Sequence, residues 1–246
     1  MTGTERDPVK ISIVMPAHNE ADLLATSVHD VLTGLRSRAE DHELIIVENG
    51  STDGTAALAD RLAATESHVY VLHLSRADYG AGLRAGLLAA RGDVVVNFDV
   101  DYYDLGFLDQ ALSGLGTEPW PAIVVGSKRA PGAQDRRSSL RRLVTWGFGT
   151  LLRVGFRLRV SDTHGMKALA RGEVAPLVPQ CRFDGDLFDT ELVIRAQHHG
   201  LTITELPVTV SERRPPRTSI ARRVLRTVAG LARLRIVLWR ERRGNR

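Results

Sequence analysis

The chain carries a single cysteine, Cys181, among 246 residues. That excludes a disulfide framework and a cysteine metal cluster, and it fits a reducing, cytoplasmic compartment. No apolar run approaches the length needed to span a bilayer. Met1 to Lys10 is polar and lacks the apolar core of a secretory signal. The expectation is a soluble protein, or one held peripherally on the inner face of the membrane. Base-stacking aromatics are nearly absent from the basic C-terminal arm, where Trp239 stands alone. Specific nucleic-acid binding therefore has little support.

Hydrophobic residues make up 43% of the chain, enough for a full core. The length suits one large α/β domain or two small ones. The net charge of +4 conceals an asymmetry, because residues 211–246 hold 12 Arg against 2 Glu. A mildly acidic body thus carries a strongly basic arm, which favours an anionic surface or ligand.

The first half alternates between short apolar runs and amphipathic stretches. Strands are expected at Ile11–Met15, Leu44–Val47, Val69–Leu74 and Val94–Phe98. Helices are expected at Glu20–Arg36, Asp53–Ala64 and Gly80–Ala90. Strands apolar on both faces predict a mainly parallel sheet covered by helices on both sides. The second half is less regular, with a strand at Ile123–Gly126, helices at Leu140–Phe156 and Leu187–His199, and an extended segment at Ile203–Val210. Ligands on such sheets bind beyond the carboxyl ends of the strands. Three loops gather there: Pro16–Glu20, Glu48–Asp53 and Asp99–Asp104. Asn19 and Asp53 are plausible helix-start residues.

Asp99-Val100-Asp101 follows the buried run Val94–Phe98. Two carboxylates two residues apart beyond a strand end can face one divalent cation, which can neutralise a diphosphate leaving group. The histidines His18, His164 and His198-His199 have no partner at metal-ligand spacing.

Taken together, the motifs Pro16-Ala17-His18-Asn19-Glu20, Gly50-Ser51-Thr52-Asp53-Gly54-Thr55, Arg84-Ala85-Gly86-Leu87 and Asp99-Val100-Asp101 resemble the family 2 glycosyltransferases of GT-A fold. Within that family the chain is most similar to the dolichol- or polyprenyl-phosphate sugar synthases. Gly126-Ser127-Lys128-Arg129, Asp162-Thr163 with Gly165 and Lys167, Phe188-Asp189 with Glu191-Leu192, and Glu205-Leu206-Pro207-Val208 continue the match in order. The resemblance implies a Rossmann-like GT-A domain over residues 1–215, with a nucleotide half at about 10–104 and an acceptor half at about 105–215. Residues 216–246 then form a basic amphipathic tail.

The same resemblance implies site roles. Pro16, Ala17, Asn19, Glu20, Glu48, Asn49 and Asp99 would bind the nucleotide, with Glu48 at the nucleobase. Asp99 and Asp101 would hold Mg²⁺ or Mn²⁺. Lys128, Arg129 and Arg141 would bind the acceptor phosphate. The donor is expected to be GDP-mannose first and a UDP-sugar second. Several positions depart from the family pattern. The second strand ends in Glu48-Asn49 rather than two aspartates. Tyr103 stands where Gln or Ser is common, leaving Asp104 as a possible third ligand. The lysine common in the glycine-rich stretch after the third strand is absent from Asp78-Tyr79-Gly80-Ala81-Gly82.

A phosphate acceptor is already anionic and needs cations rather than a base; Lys128, Arg129, Arg136, Arg137, Arg141 and Arg142 can supply them. A hydroxyl acceptor needs a general base. The candidates are Asp186, Asp189 and Glu191, of which Asp189 is the catalytic choice; Asp189 and Glu191 otherwise read as surface acids opening a helix. Two other classes stay in view. A nucleotide-sugar pyrophosphorylase would require a glycine-rich loop after the first strand, which this chain lacks. A non-enzymatic anionic-surface or nucleic-acid binder would rest on the basic arm alone.

In that arm Arg222, Arg226, Arg233 and Arg240 fall within about 40° on a helical projection. Leu225, Val228, Ala232, Ile236 and Trp239 form an adjacent stripe about 80° wide. Such a helix, over residues 217–243, can lie on an anionic membrane surface or pack its apolar side on the domain.

Overall fold

The computed structural model describes residues 11–37, 41–113, 119–135, 138–210 and 220–244. The apolar runs of the first half form β1 (Ile11–Ala17), β2 (His42–Asn49), β3 (Val69–Leu74) and β4 (Val94–Asn97). Between them lie α1 (Leu24–Arg36), α2 (Thr55–Thr65) and α3 (Tyr79–Ala89). Side chains alternate across each strand. Ile13, Met15, Leu44 and Ile46 pack on one face with Leu24 and Val28 of α1. Val14, Ile45 and Val47 pack on the other with Leu83 and Leu87 of α3. β1, β2 and β4 are therefore buried along their whole lengths.

The second half contains α4 (Leu105–Ser113), β5 (Ile123–Ser127), β6 (Gln134–Asp135), α5 (Ser139–Phe156), β7 (Lys167–Ala170), α6 (Arg171–Val174), α7 (Phe188–His198), β8 (Ile203–Pro207), β9 (Thr209–Val210) and α8 (Ile220–Gly244). The sheet order is β3-β2-β1-β4-β7-β5-β8. β7 runs antiparallel to β4 and β5, while the other neighbours are parallel. This reversal has a chemical consequence. It registers Lys167, the first residue of β7, opposite Asn97 at the carboxyl end of β4. A cation is thereby delivered to the strand end that leads into Asp99.

Some boundaries differ from the sequence reading. α1 starts at Leu24 rather than Glu20, because Asn19 turns the chain through the left-handed region at φ 54°. Asn19 is thus a turn residue and not a helix cap. Asp53 does cap, since its Oδ1 accepts the Thr55 N–H at 2.9 Å. α4 and β7 were not anticipated. The extended segment 203–210 is two strands, and its second part pairs with β6.

Among the described residues no helix is long and apolar enough to cross a membrane. The proposed domain boundary at 215 lies outside those residues. α8 joins the core through Leu231, Leu234 and Leu238, which bury beside Leu187, Phe188 and Phe156. Gly230 permits this approach, because a Cβ there would lie 2.1 Å from Leu187 Cδ1. Glu241 pairs with Arg195 at 3.0 Å, and Arg226 with Asp186 at 3.0 Å. The packing stripe is not the one picked out from the sequence. Val228, Ile236 and Trp239 of that stripe remain exposed, and the Leu225 side chain lies outside the description. Leu234→Ala should cost about 2–5 kcal/mol of stability, whereas Ile236→Ala should change it by less than about 1 kcal/mol. Urea unfolding midpoints of the two variants check this; equal losses would contradict the packing.

Candidate active site

The carboxyl ends of β1 and β2 lie side by side, with Pro16 registered against Val47 and Ala17 against Glu48. Proline fits here because the strand is ending and its missing N–H is less needed. Hydrogen bonds lace the two following loops together. Asn19 Oδ1 accepts the Thr52 N–H at 2.8 Å, and Ser51 Oγ accepts the Asn19 N–H at 3.0 Å. The Glu20 N–H donates to Thr55 Oγ1 at 2.8 Å. His18 Nδ1 donates to the Asn49 carbonyl at 2.9 Å, and Nε2 faces Asn19 Nδ2 at 3.2 Å as acceptor. These contacts bring Pro16, Ala17, Asn19, Glu20, Glu48 and Asn49 to one edge.

Glu48 is buried and already engaged. Its Oε1 accepts the Ser51 N–H at 2.5 Å, and Oε2 lies 3.3 Å from His73 Nδ1. Burial by itself would raise its pKa, but the Ser51 and His73 hydrogen bonds outweigh it and hold the carboxyl below its ordinary value. Asn49 is buried too, and its Oδ1 has no hydrogen-bond partner.

After β4 the chain makes a tight turn in which Asp99 and Tyr102 exchange backbone hydrogen bonds at 3.1 Å. Phe98 and Val100 point into the core, so Asp99 and Asp101 face outward from it. Asp104 does not join them. It opens α4 by accepting the Gly106 and Phe107 N–H groups at 2.8 and 3.2 Å. Tyr103 is tied to Asp30 of α1 at 2.6 Å.

The Tyr79 hydroxyl donates to Asp99 Oδ1 at 2.9 Å. Burial, followed by the charges of Asp99 and Asp189, raises the Tyr79 pKa well above a normal phenol, so it remains a donor. Burial pushes the Asp99 carboxyl up to about 6; Tyr79 and Lys167 oppose the rise, and the charges of Asp101 and Asp189 add to it. Asp189 lies at the start of α7, with Lys167 Nζ 2.9 Å from its Oδ2. Its Oδ1 is buried without a hydrogen-bond partner.

This donor set fits a hard divalent cation. Mutually repelling carboxylates at an open strand end are stabilised by positive charge, and oxygen ligands suit Mg²⁺ or Mn²⁺. No group of three or more His, Cys, Asp or Glu is placed to enclose a metal among the described residues. Asp99 and Asp101 could therefore hold such an ion only with ligands from substrate phosphate and water.

A cationic segment follows β5, whose carboxyl end lies on the same side of the sheet as that of β4. Lys128 lies 3.7 Å from Asp162 Oδ2 and donates to the His164 carbonyl at 3.4 Å. Arg129 donates to the Trp146 carbonyl at 3.3 Å, and it crosses α5 at Gly149, where a Cβ would lie 2.6 Å from its Nη1. Arg142 is exposed and bonds Ser139. Arg136, Arg137 and the Arg141 side chain lie outside the described residues. Burial lowers the His164 pKa, against the opposing charges of Asp189 and Asp162, and its Nε2 donates to the Asp186 carbonyl at 2.9 Å.

Asp189 and Glu191 are not the surface acids the sequence suggested. They are 3% and 0% exposed. Glu191 is a structural acid, bonded to Arg195 and to the Arg182 and Phe183 N–H groups at 2.8, 2.8 and 2.9 Å. Asp186 is engaged by Arg226 of α8. Of the three base candidates, Asp189 is the one beside Asp99.

The sequence reading missed two contributions. Tyr79 was noted only as the place of a missing lysine. Arg84 is a clamp: it bonds Asp184 Oδ1 and the carbonyls of Val178, Cys181 and Phe183, all at 2.8–3.1 Å. It fixes the segment before α7 onto α3.

Residues 12–175 match the model of the family described as glycosyl transferase family 2. Glycosyltransferase AglD of Haloferax volcanii is 30% identical over 90% of this chain and 37% of its own length. The dolichyl-phosphate beta-glucosyltransferase ALG5A of Trichomonas vaginalis is 29% identical over 83% of this chain and 66% of its own. This chain therefore spans less than two thirds of either relative. Polyprenol monophosphomannose synthase of Mycolicibacterium smegmatis is 31% identical over 85% of this chain and 80% of its own. Among solved structures, glucosyl-3-phosphoglycerate synthase from Mycobacterium tuberculosis, with Mn²⁺ and UDP-glucose, superposes with a TM-score of 0.69 at 24% identity, covering 92% of this chain and 79% of that one. The sheet order, the Asp99-Val100-Asp101 turn and these matches agree: the chain belongs to glycosyl transferase family 2 and has the GT-A fold.

Proposed function

We propose that the chain transfers a sugar, with inversion, from a nucleotide-sugar to a polyprenyl or dolichyl phosphate. One observation carries the reading: the acidic pair Asp99 and Asp101 follows β4 and the cations Lys128 and Arg129 follow β5, and both strands end on the same side of the sheet with β7 between them. The first suits a cation-bound diphosphate and the second a phosphate nucleophile. The names of the relatives, which include lipid-phosphate glucosyl and mannosyl transferases, support the acceptor class. We place GDP-mannose first as donor and a UDP-sugar second.

In this reading Pro16, Ala17, Asn19, Glu20, Glu48 and Asn49 hold the nucleoside, and Asp99 and Asp101 hold Mg²⁺ or Mn²⁺. The cation, when bound, neutralises the diphosphate and makes it a better leaving group. Lys128 and Arg129, with Arg141 in the first turn of α5, orient the acceptor phosphate. One of its oxygens forms the bond to the anomeric carbon as the bond from that carbon to the diphosphate breaks. No proton moves, so no base is required. A hydroxyl acceptor is the second reading, favoured by the unpartnered Asp189 Oδ1, which would serve as its base.

Radiolabelled donor, Mn²⁺ and a polyprenyl phosphate should yield an organic-extractable product that mild acid cleaves. A water-soluble, acid-stable product would overturn the lipid acceptor.

Asp99→Asn and Asp101→Asn should each lower kcat/KM by about a thousandfold, equivalent to about 4 kcal/mol. The melting temperature of the metal-free Asp99→Asn protein should not fall, because removing a buried charge relieves repulsion from Asp101 and Asp189. Wild-type rates from both variants would remove the metal role.

Tyr79→Phe deletes the hydrogen bond that supports ionised Asp99. A hydrogen bond to a charged group is worth about 1.5–3 kcal/mol. The half-saturating Mn²⁺ concentration should rise roughly tenfold or more, with little change in kcat at saturating metal. An unchanged metal titration would make Tyr79 a packing residue only.

A further inference from the structure

α5 is turned inside out for a surface helix. Leu152 and Phe156 pack inward, yet Leu140, Leu143, Trp146, Leu151 and Val154 are 56%, 62%, 56%, 39% and 78% exposed. At 100° per residue, Leu140, Leu143, Leu151 and Val154 fall within about 80° of one another, with Trp146 about 60° beyond the band. Arg142 and Arg153 lie next to Trp146 on that projection. α8 repeats the arrangement. Val224, Val228, Ile236 and Trp239 are 37%, 47%, 49% and 51% exposed, and Arg226, Arg233 and Arg240 line the adjacent stripe. These nine residues account for all but Tyr70 and Leu88 of the exposed large hydrophobics among the described residues. Scattered apolar side chains would be ordinary, but two neighbouring helices carrying nearly all of them form a patch.

The two helices touch. Arg235 of α8 donates to the Gly155 carbonyl of α5 and stacks on Phe156, 5.8 Å from the ring centre. Beside this contact opens a cavity of about 780 Å³, lined by Arg157, Arg159, Arg235, Phe156, Leu238 and Trp239 and by residues 197–198 and 200–203 of the α7–β8 connection. Arginines beside apolar side chains match an anionic headgroup and the start of its acyl chains. An ordinary protein partner would not need arginines along both stripes and in the cavity between them. Both helices also reach the candidate active site. Arg129 bonds the Trp146 carbonyl on α5, and Arg226 on α8 pairs with Asp186, whose carbonyl holds His164.

We propose that the exposed faces of α5 and α8, with the arginine-lined cavity between them, form a surface that lies on an anionic lipid bilayer. The apolar band enters the interfacial layer, the tryptophans sit at headgroup depth, and the arginines meet lipid phosphate. The surface is wider than the C-terminal arm alone, since α5 supplies the larger apolar share. It deepens the lipid-phosphate reading by placing Lys128 and Arg129 beside the plane where a membrane-borne phosphate lies, but the binding itself does not depend on that reading.

The test is vesicle flotation with the full chain, comparing neutral phosphatidylcholine vesicles with vesicles containing phosphatidylglycerol. The bound fraction should be at least tenfold higher on the anionic vesicles and should fall with added salt. The double variant Leu143→Glu/Val154→Glu replaces exposed side chains, so its melting temperature should stay near wild type while flotation falls at least tenfold. Arg233→Glu/Arg240→Glu should lose the preference for anionic lipid. Sugar transfer by Leu143→Glu/Val154→Glu to a short-chain, water-soluble polyprenyl phosphate should be unchanged, while transfer to the full-length lipid in vesicles drops. Equal binding to both vesicle types, or undiminished flotation of Leu143→Glu/Val154→Glu, would overturn the surface. So would a concentration-dependent dimer that Leu143→Glu/Val154→Glu abolishes, because the patch would then be a protein interface. Vesicle binding without transfer to any lipid phosphate would sink the proposed function and leave this surface standing.

Discussion

Asp99 sits against two other carboxylates, Asp101 and Asp189, and Lys167 is the cation that opposes them at the strand end. Excess negative charge at this place organises the rest of the site. It adds to burial, the larger cause, in pushing the Asp99 pKa up to about 6. It explains why a phenol donates to Asp99 Oδ1. It also makes the site attractive to positive charge, which in the proposed function a divalent cation would supply. The antiparallel β7 is the structural answer to the same problem, since it brings Lys167 to the end of β4.

The two halves of the domain are joined where this charge is concentrated. Asp78 opens α3 by accepting the Ala81 N–H and also accepts the Gly185 N–H, at 2.9 and 2.8 Å. Gly80 allows the close approach, because a Cβ there would lie 2.5 Å from the Gly185 backbone. Arg84, one turn further along α3, holds four acceptor groups of the segment 178–184. Glu191 continues the chain of contacts through Arg195 to Glu241 of α8. Asp189 is thus placed beside Asp99 by a network that reaches from α3 to the C-terminal helix. A change in α8 packing would be felt at the site through that network.

Much of this was legible in the sequence, for reasons specific to each element. Strands such as Val94–Asn97 are apolar on both faces, which parallel strands under two helical layers require, and the Asp99-Val100-Asp101 turn follows directly from one. β7 escaped notice because its four residues begin with a lysine, and only its partner strands make that lysine interior. Asp189 and Glu191 read as surface acids because Lys167 lies 22 positions away, the Arg182 and Phe183 N–H groups carry no side-chain signature, and an i,i+4 pair such as Glu191–Arg195 is equally common on an exposed helix face. The projection of α8 found a real apolar stripe. Leu231, Leu234 and Leu238 form a second one, within about 60° on the same projection, which was passed over; only the structure shows that this second stripe is the one facing Leu187.

That second stripe changes the meaning of the basic arm. A helix with one apolar side must choose between the domain and a lipid surface. α8 carries two, so packing on the domain leaves the other side uncovered. Its charges divide in the same way. Arg226 and Glu241 are used internally, pairing with Asp186 and Arg195, whereas Arg233 and Arg240 sit on the exposed stripe. The acidic body and basic arm are therefore not simply opposite ends of a dipole. Acid is concentrated where a cation and diphosphate would enter, and base where anionic lipid would lie. Lys128 and Arg129 follow β5 at the carboxyl side of the sheet, and Arg129 bonds the Trp146 carbonyl of α5; in the proposed function they would meet an acceptor phosphate arriving from the basic side.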